Sequence, residues 1–278
     1  MKYQSPKERV LPYLFSVPAI ILILASISIL LFVGTGGVLA INWEMVSKSV
    51  LKGGIFEPIV GTLYLLSGTM AISLPIGVLT AVYLVEYAPK GRTNRIITQA
   101  MNNLAGVPSI VFGLFGYSFF CRFLGFGISL LSGWLTLTCM VLPIVIRGSQ
   151  EAIRMVPKTF REAAEALGAS KWRAIRDLVL TTAAPGIATS TILGISRVAG
   201  ETAAILFTSS VFLMRGLPST PFDPVMVLTY HIYVLLVTSP SPVLDRVFAM
   251  ALILLGLVVV LNILAYVVRL YYRKRKRW

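Results

Sequence analysis

The chain is short of acids and of metal-binding side chains. It has 11 Asp and Glu against 25 Lys and Arg, one histidine and two cysteines in 278 residues. With only His231, Cys121 and Cys139 available, a structural zinc site of four Cys/His ligands cannot be assembled, and an HExxH motif is excluded. Cys139 lies in an apolar run and Cys121 at the edge of one, and both read as packing residues. No Gly-Lys dipeptide occurs, so a GxxxxGK[ST] phosphate loop is absent and any nucleotide hydrolysis falls to another chain. Charged residues make up only 13% of the chain against 56% hydrophobic, and the mean hydropathy is +0.83. Such a mix belongs to an integral membrane protein, and the net charge of +14 then reflects loop bias rather than nucleic-acid binding.

Apolar runs at 10–33, 59–85, 96–120, 123–146, 183–213 and 247–268 each approach or exceed the roughly 20 residues that cross a bilayer. An all-α fold with six transmembrane helices in one domain is therefore expected. The 10–33 run is longer than a signal-peptide core of roughly 7–15 residues and reads as a retained helix. A shorter run, 225–237, lies among Pro218, Pro221, Pro224, Pro240 and Pro242, which marks a re-entrant or interfacial element. With six spans, one side collects Lys2, Lys7, Arg9, Lys90, Arg92, Arg95, the cations of 147–176 and the tail YYRKRKRW. The other side holds only Lys48, Lys52, Arg122, Arg215 and Arg246, so positive-inside bias puts both termini in the cytoplasm, with the tail near anionic membrane lipid.

Two of these helices carry more than hydrophobicity. In the third, Gly106, Ser109, Gly113 and Gly116 form a stripe of small residues that suits close helix packing. In the fifth, at about 100° per residue, Gly186, Ser190, Gly194, Arg197, Glu201 and Thr208 fall within one arc of roughly 80°. Ionisable groups inside a membrane are costly and face partners or a cavity. Arg197 and Glu201 stand four residues apart and can partner each other. One reading is an ion pair that locks packing. The other is a solute path in which Arg197 offers planar donors to an oxyanion, Glu201 moderates its charge, and Ser190 and Thr208 line the same face.

Ahead of that run, 159–180 reads as a charged helical hairpin. Thr159 and Glu162 have capping-box spacing, Gly168 suits a left-handed stop, and Ser170 can cap a second helix. Glu162, Ala163, Ala164 and, three residues later, Gly168 resemble the EAA loop of ABC importer permeases; Thr181 stands where that family usually has Pro. LAGVPSIVFGLFGY (104–117) and RVAGETAAILFTSS (197–210) are similar to segments of phosphate-specific permeases, and the GETAAILFT stretch resembles the PstA type more than the PstC type.

The resemblance implies a type I ABC importer permease fold, with the hairpin as a coupling helix seated in an ATPase subunit. It also implies a PstC-type paralogous permease, an ATPase dimer that binds ATP-Mg, an extracytoplasmic phosphate-binding protein, and Arg197 and Glu201 in the phosphate path. No cofactor of this chain's own is expected, and the location implied is a prokaryotic inner membrane. Kinship alone leaves a molybdate or sulfate permease as an alternative; a membrane-embedded enzyme is disfavoured by the lack of clustered acids, His or Cys.

Overall fold

The computed structural model describes residues 6–89, 91–238 and 244–274. Its helices are α1 (Pro6–Ala40), α2 (Trp43–Ser47), α3 (Phe56–Val82), α4 (Arg92–Ala105), α5 (Ser109–Gly116), α6 (Leu130–Arg154), α7 (Lys158–Ala166), α8 (Lys171–Arg173), α9 (Leu180–Ala199), α10 (Ala203–Thr208), α11 (Leu228–Thr238) and α12 (Leu244–Lys274). Wider π-helical turns extend α3 over Tyr83–Tyr87, extend α5 over Tyr117–Phe123, and join α8 to α9 over Ala174–Val179. Lys90, Pro240, Pro242 and the last four residues of the basic tail lie outside the described residues.

Five helical segments are long and apolar enough to cross a membrane: Phe15–Ala40, Phe56–Tyr87, Leu130–Arg154, Lys171–Ala199 and Leu244–Tyr271. The third expected span, 96–120, is not one rod. Asn94–Ala105 and Ser109–Phe123 meet at 103°. Pro108 has no N–H and disfavours helical backbone at Val107, so the run breaks at Gly106–Pro108. The expected fifth span, 183–213, is shifted as well. Its helix starts at Lys171, inside the expected hairpin, and ends at Ala199, where Gly200 caps it.

The core lies between α3, α6 and α9, where Leu65, Leu66, Leu137, Val141, Val145 and Val198 are buried together. Small residues set how closely these helices approach. Gly77 faces the Val145 side chain, Gly186 faces Ala152, and Gly148 faces Ser190. α1 instead lies along α12, with Phe32 edge-on to Phe248 at 5.2 Å and Gly36 and Gly37 beneath Phe248 and Leu252.

The 225–237 stretch begins packed into the core of the chain. Val225, Met226 and Leu228 are buried, and Val225 exchanges backbone bonds with Ser209 and Val211 at 2.9 and 3.1 Å. Only the far part of α11 is open, at Tyr233, Leu236 and Val237. The connection before it is tied by Asp223, whose Oδ2 accepts from the Ser219 N–H, the Ser219 hydroxyl and the Thr220 N–H at 2.8–2.9 Å. Those donors, the Ser219 hydroxyl first, hold the Asp223 carboxyl below its ordinary range. A depressed folded pKa adds order that is complete above the unfolded value of about 3.9 and lost as pH falls through the folded value. Proteolytic protection of residues 216–224 is thus expected to persist at pH 4 and fade below it; Asp223→Ala should remove it already at pH 7.

Candidate functional site

The hairpin is built as a helix, a turn and the start of a long span. α7 starts at Lys158, directly after Pro157, without a side-chain cap. Thr159 therefore sits inside the first turn, and the capping box with Glu162 does not form. Pro157 supplies the start instead, because its ring fixes φ and it has no N–H to satisfy. Gly168 does adopt the left-handed turn, at φ +76°, and Ser170 accepts the Arg173 N–H at 3.4 Å. The second hairpin helix is not separate but runs on into α9.

Glu162, Ala163 and Gly168 are exposed and Ala164 is half-buried. Beside them Leu167 and Met155 are 88% and 82% exposed, so the turn presents apolar tips within a charged surface. Such a surface suits a soluble protein partner.

One ion pair, unforeseen from sequence, clamps this hairpin to the bundle. Glu86, in the turn that ends α3, receives Arg161 Nη2 at 2.6 Å and Nε at 3.0 Å. The pair is largely enclosed, with side chains 8% and 20% exposed. The remaining guanidinium bonds go to the Val156, Pro157 and Ile153 carbonyls at 2.7, 3.4 and 3.1 Å, and Lys171 Nζ reaches the Glu86 carbonyl at 2.6 Å. Lys171 also lies 4.5 Å from the centre of the Tyr87 ring. Both arms of the hairpin thus hold one turn of α3, beside a cleft of about 500 Å³ that Asn94 and Lys158 also line.

The expected polar face of the fifth helix divides into three different environments. Arg197 is exposed on α9 near Leu193, itself 58% exposed, and has no hydrogen-bond or ion-pair partner among the described residues. Glu201 does not pair with it. Once α9 ends at Gly200 the four-residue spacing no longer stacks the two side chains, and Glu201 Oε1 accepts the Ala204 N–H at 3.2 Å, capping α10. The Glu201 carbonyl is held by the Thr229 hydroxyl at 2.9 Å. Ser190 is 2% exposed, bonded to the Ile187 carbonyl at 2.8 Å, and packs on Gly148. Thr208 is fully buried and bonded to the Ala204 carbonyl at 3.0 Å. Of these four side chains only Arg197 faces outward; Ser190, Glu201 and Thr208 organise the helices behind it.

The stripe on the third span is split in the same way. Gly106 lies exposed at the end of α4, with no tight neighbour, and Ser109 is half-buried. Gly113 and Gly116 form a seam, the first against the backbone of Ala203 and Ala204 in α10, the second against Thr136 and Thr208.

Residues 73–278 match the family described as the binding-protein-dependent transport system inner membrane component. The chain belongs to that family. It is 34% identical over 215 residues to the probable ABC transporter permease protein YqgI of Bacillus subtilis, covering 76% of this chain and 73% of that protein. It is 36% identical over 230 residues to the phosphate transport system permease protein PstA 1 of Mycobacterium tuberculosis, covering 81% and 72%.

Among solved structures, a bacterial ABC transporter involved in the import of the acidic polysaccharide alginate matches with a TM-score of 0.62 at 15% identity, covering 95% of this chain and 96% of that one. The MetNI methionine ABC transporter, in an inward-facing form, matches at 0.57 and 19%, covering 85% and 100%. The protein is therefore an all-α, multi-pass membrane permease with the type I ABC importer fold. Its family membership makes the exposed hairpin a feature of a transport subunit rather than of an enzyme.

Proposed function

We propose that this permease is one half of an ATP-driven phosphate importer, of the PstA type. The observation that carries the reading is Arg197, a cation without a partner among the described residues, exposed at the C-terminal end of a span whose other end is the hairpin. Relatives named as phosphate permeases support it. A second, PstC-type permease would cover Arg197 and enclose a cavity, and a phosphate-binding protein would load that cavity from outside. The 158–170 hairpin would seat in an ATPase dimer that binds ATP-Mg, with the hairpin and both termini in the cytoplasm.

ATP-driven closure of that dimer would then push the hairpin. Because both arms grip Glu86 and the second arm continues into α9, the push reaches α3 and the Arg197 helix together. Rocking of these spans exposes the site to one side or the other, which is alternating access. With Glu201 engaged at α10, release of the anion depends on this rocking rather than on an adjacent carboxylate.

The test is phosphate uptake by Arg197→Gln, measured beside assembly and ATP hydrolysis. Loss of a charge-assisted contact worth about 1.5–3 kcal/mol lowers anion affinity by roughly 10- to 150-fold. Uptake should fall at least about tenfold at sub-saturating phosphate while the complex still assembles. Normal uptake would remove Arg197 from the path, and uptake blocked by molybdate or sulfate but not by arsenate would reassign the solute.

A further inference from the structure

Apart from Arg197 at the end of its span, the loops on the face opposite the hairpin carry few cations: Lys48, Lys52, Arg122, Arg215 and Arg246. Three of them line one small pocket. It measures about 230 Å³ and is lined by Asn42, Glu44, Met45, Lys48, Lys52, Gly53 and Arg246, gathered from the ends of α1 and α12 and the turn before α3. In a membrane protein depleted of cations on this side, convergence of three from segments almost 200 residues apart is not explained by loop bias.

The pocket is prebuilt. The Val50 N–H donates to Glu57 Oε2 at 2.8 Å, the Gly54 N–H closes onto the Ser49 carbonyl at 2.9 Å, and Gly53 turns at φ +84°, so the loop that carries Lys52 is held by internal bonds. Arg246 Nη2 donates to the Gly53 and Gly54 carbonyls at 2.9 and 3.0 Å, which fixes the guanidinium while Nε and Nη1 keep no partner among the described residues. Asn42 accepts the Met45 N–H through Oδ1 at 2.7 Å, and its NH₂ has no partner among the described residues. Glu44 offsets one charge by pairing with Lys48 at 2.9 Å. The pocket therefore keeps an excess of positive charge and unused donors, in a volume below the roughly 300–1,000 Å³ of ordinary ligand pockets.

From this we infer a second anion site, on the face opposite the hairpin, that takes a phosphoryl oxyanion. Lys52 and Lys48 supply charge, Arg246 supplies planar donors, and Asn42 supplies a neutral donor at the rim. The group bound is either inorganic phosphate or the phosphate of an anionic lipid headgroup; the recognition chemistry is the same. The inference does not depend on which solute crosses the membrane.

The experiment uses the assembled permease–ATPase complex, without binding protein or ATP, in nanodiscs of phosphatidylcholine alone or with phosphatidylglycerol. Labelled inorganic phosphate and retained phosphatidylglycerol are each measured for the native complex, Lys48→Gln/Lys52→Gln, and Arg197→Gln. The lysine variant should bind one of the two ligands at least tenfold more weakly, and Arg197→Gln should retain that binding. Loss of phosphate binding in phosphatidylcholine discs identifies the free anion, and loss of phosphatidylglycerol alone identifies the headgroup. Binding of both ligands unchanged in an assembled lysine variant overturns the site, as does binding lost in Arg197→Gln but kept in the lysine variant. Should the double variant fail to assemble, Lys52→Gln alone, at an exposed side chain with no bond among the described residues, gives the same comparison.

Discussion

Arg161→Met should release the hairpin from the bundle and uncouple ATP hydrolysis from transport. The change leaves the Glu86 carboxylate, only 8% exposed, facing the vacated guanidinium site without its counter-ion. Breaking one side of a buried ion pair costs about 3–5 kcal/mol, because the remaining charge stays desolvated. The Ile153, Val156 and Pro157 carbonyls also lose the guanidinium as a donor, although the Val156 N–H still serves Ile153 and the Phe160 N–H still serves Pro157. Lys171 still reaches the Glu86 carbonyl, so the second arm holds while α7 swings free.

Hydrogen exchange of residues 158–168 should rise by at least about a hundredfold, the factor that roughly 3 kcal/mol implies. ATP hydrolysis should persist while phosphate uptake drops. Glu86→Gln in the same chain should recover part of the docking, since the buried charge is then gone. Unchanged exchange in Arg161→Met would show that the clamp contributes nothing to docking.

Gly113→Leu should disable the protein through α10. A Cβ at Gly113 would stand 2.9 Å from the Ala203 carbonyl oxygen and 3.0 Å from the Ala204 Cα, which are backbone atoms with no rotamer to change. α10 cannot retreat freely. Glu201 caps its start, Thr229 holds the Glu201 carbonyl, and the Ser129 N–H holds the Thr208 carbonyl at 3.0 Å. Overpacking of this kind typically costs about 1–3 kcal/mol, and the rigid neighbours put this case at the upper end. Purified yield and thermal midpoint of the complex should both fall. Gly106→Leu, at an open position, should leave both near the native values, and equal losses at 106 and 113 would refute the seam.

How much was legible differs from segment to segment for definite reasons. The Gly168 turn was readable because a left-handed residue after a short charged helix is a local matter, decided by one missing Cβ. The small-residue stripe was half readable. Its spacing assumed a continuous helix, and the Pro108 break detached Gly106 from Gly113 and Gly116. Arg197 and Glu201 were readable as unusual residues but not as a non-pair, because four-residue stacking requires the helix that Gly200 ends. Glu86 carried no signal of its own, since 75 residues separate it from Arg161 and an acid at the end of an apolar run is ordinary.

What the sequence by itself determined is what depends on composition and short range. Hydropathy and run length made this a multi-pass helical membrane protein, and the Glu162–Gly168 stretch carried its resemblance to importer permeases. The tertiary structure alone decided which side chains meet across that framework. Helix breaks at Gly106–Pro108 and Gly200, the grip of Arg161 on Glu86, and the gathering of Lys48, Lys52 and Arg246 all depend on how distant segments pack. Periodicity along a single helix cannot encode contacts whose partners lie tens to hundreds of residues away.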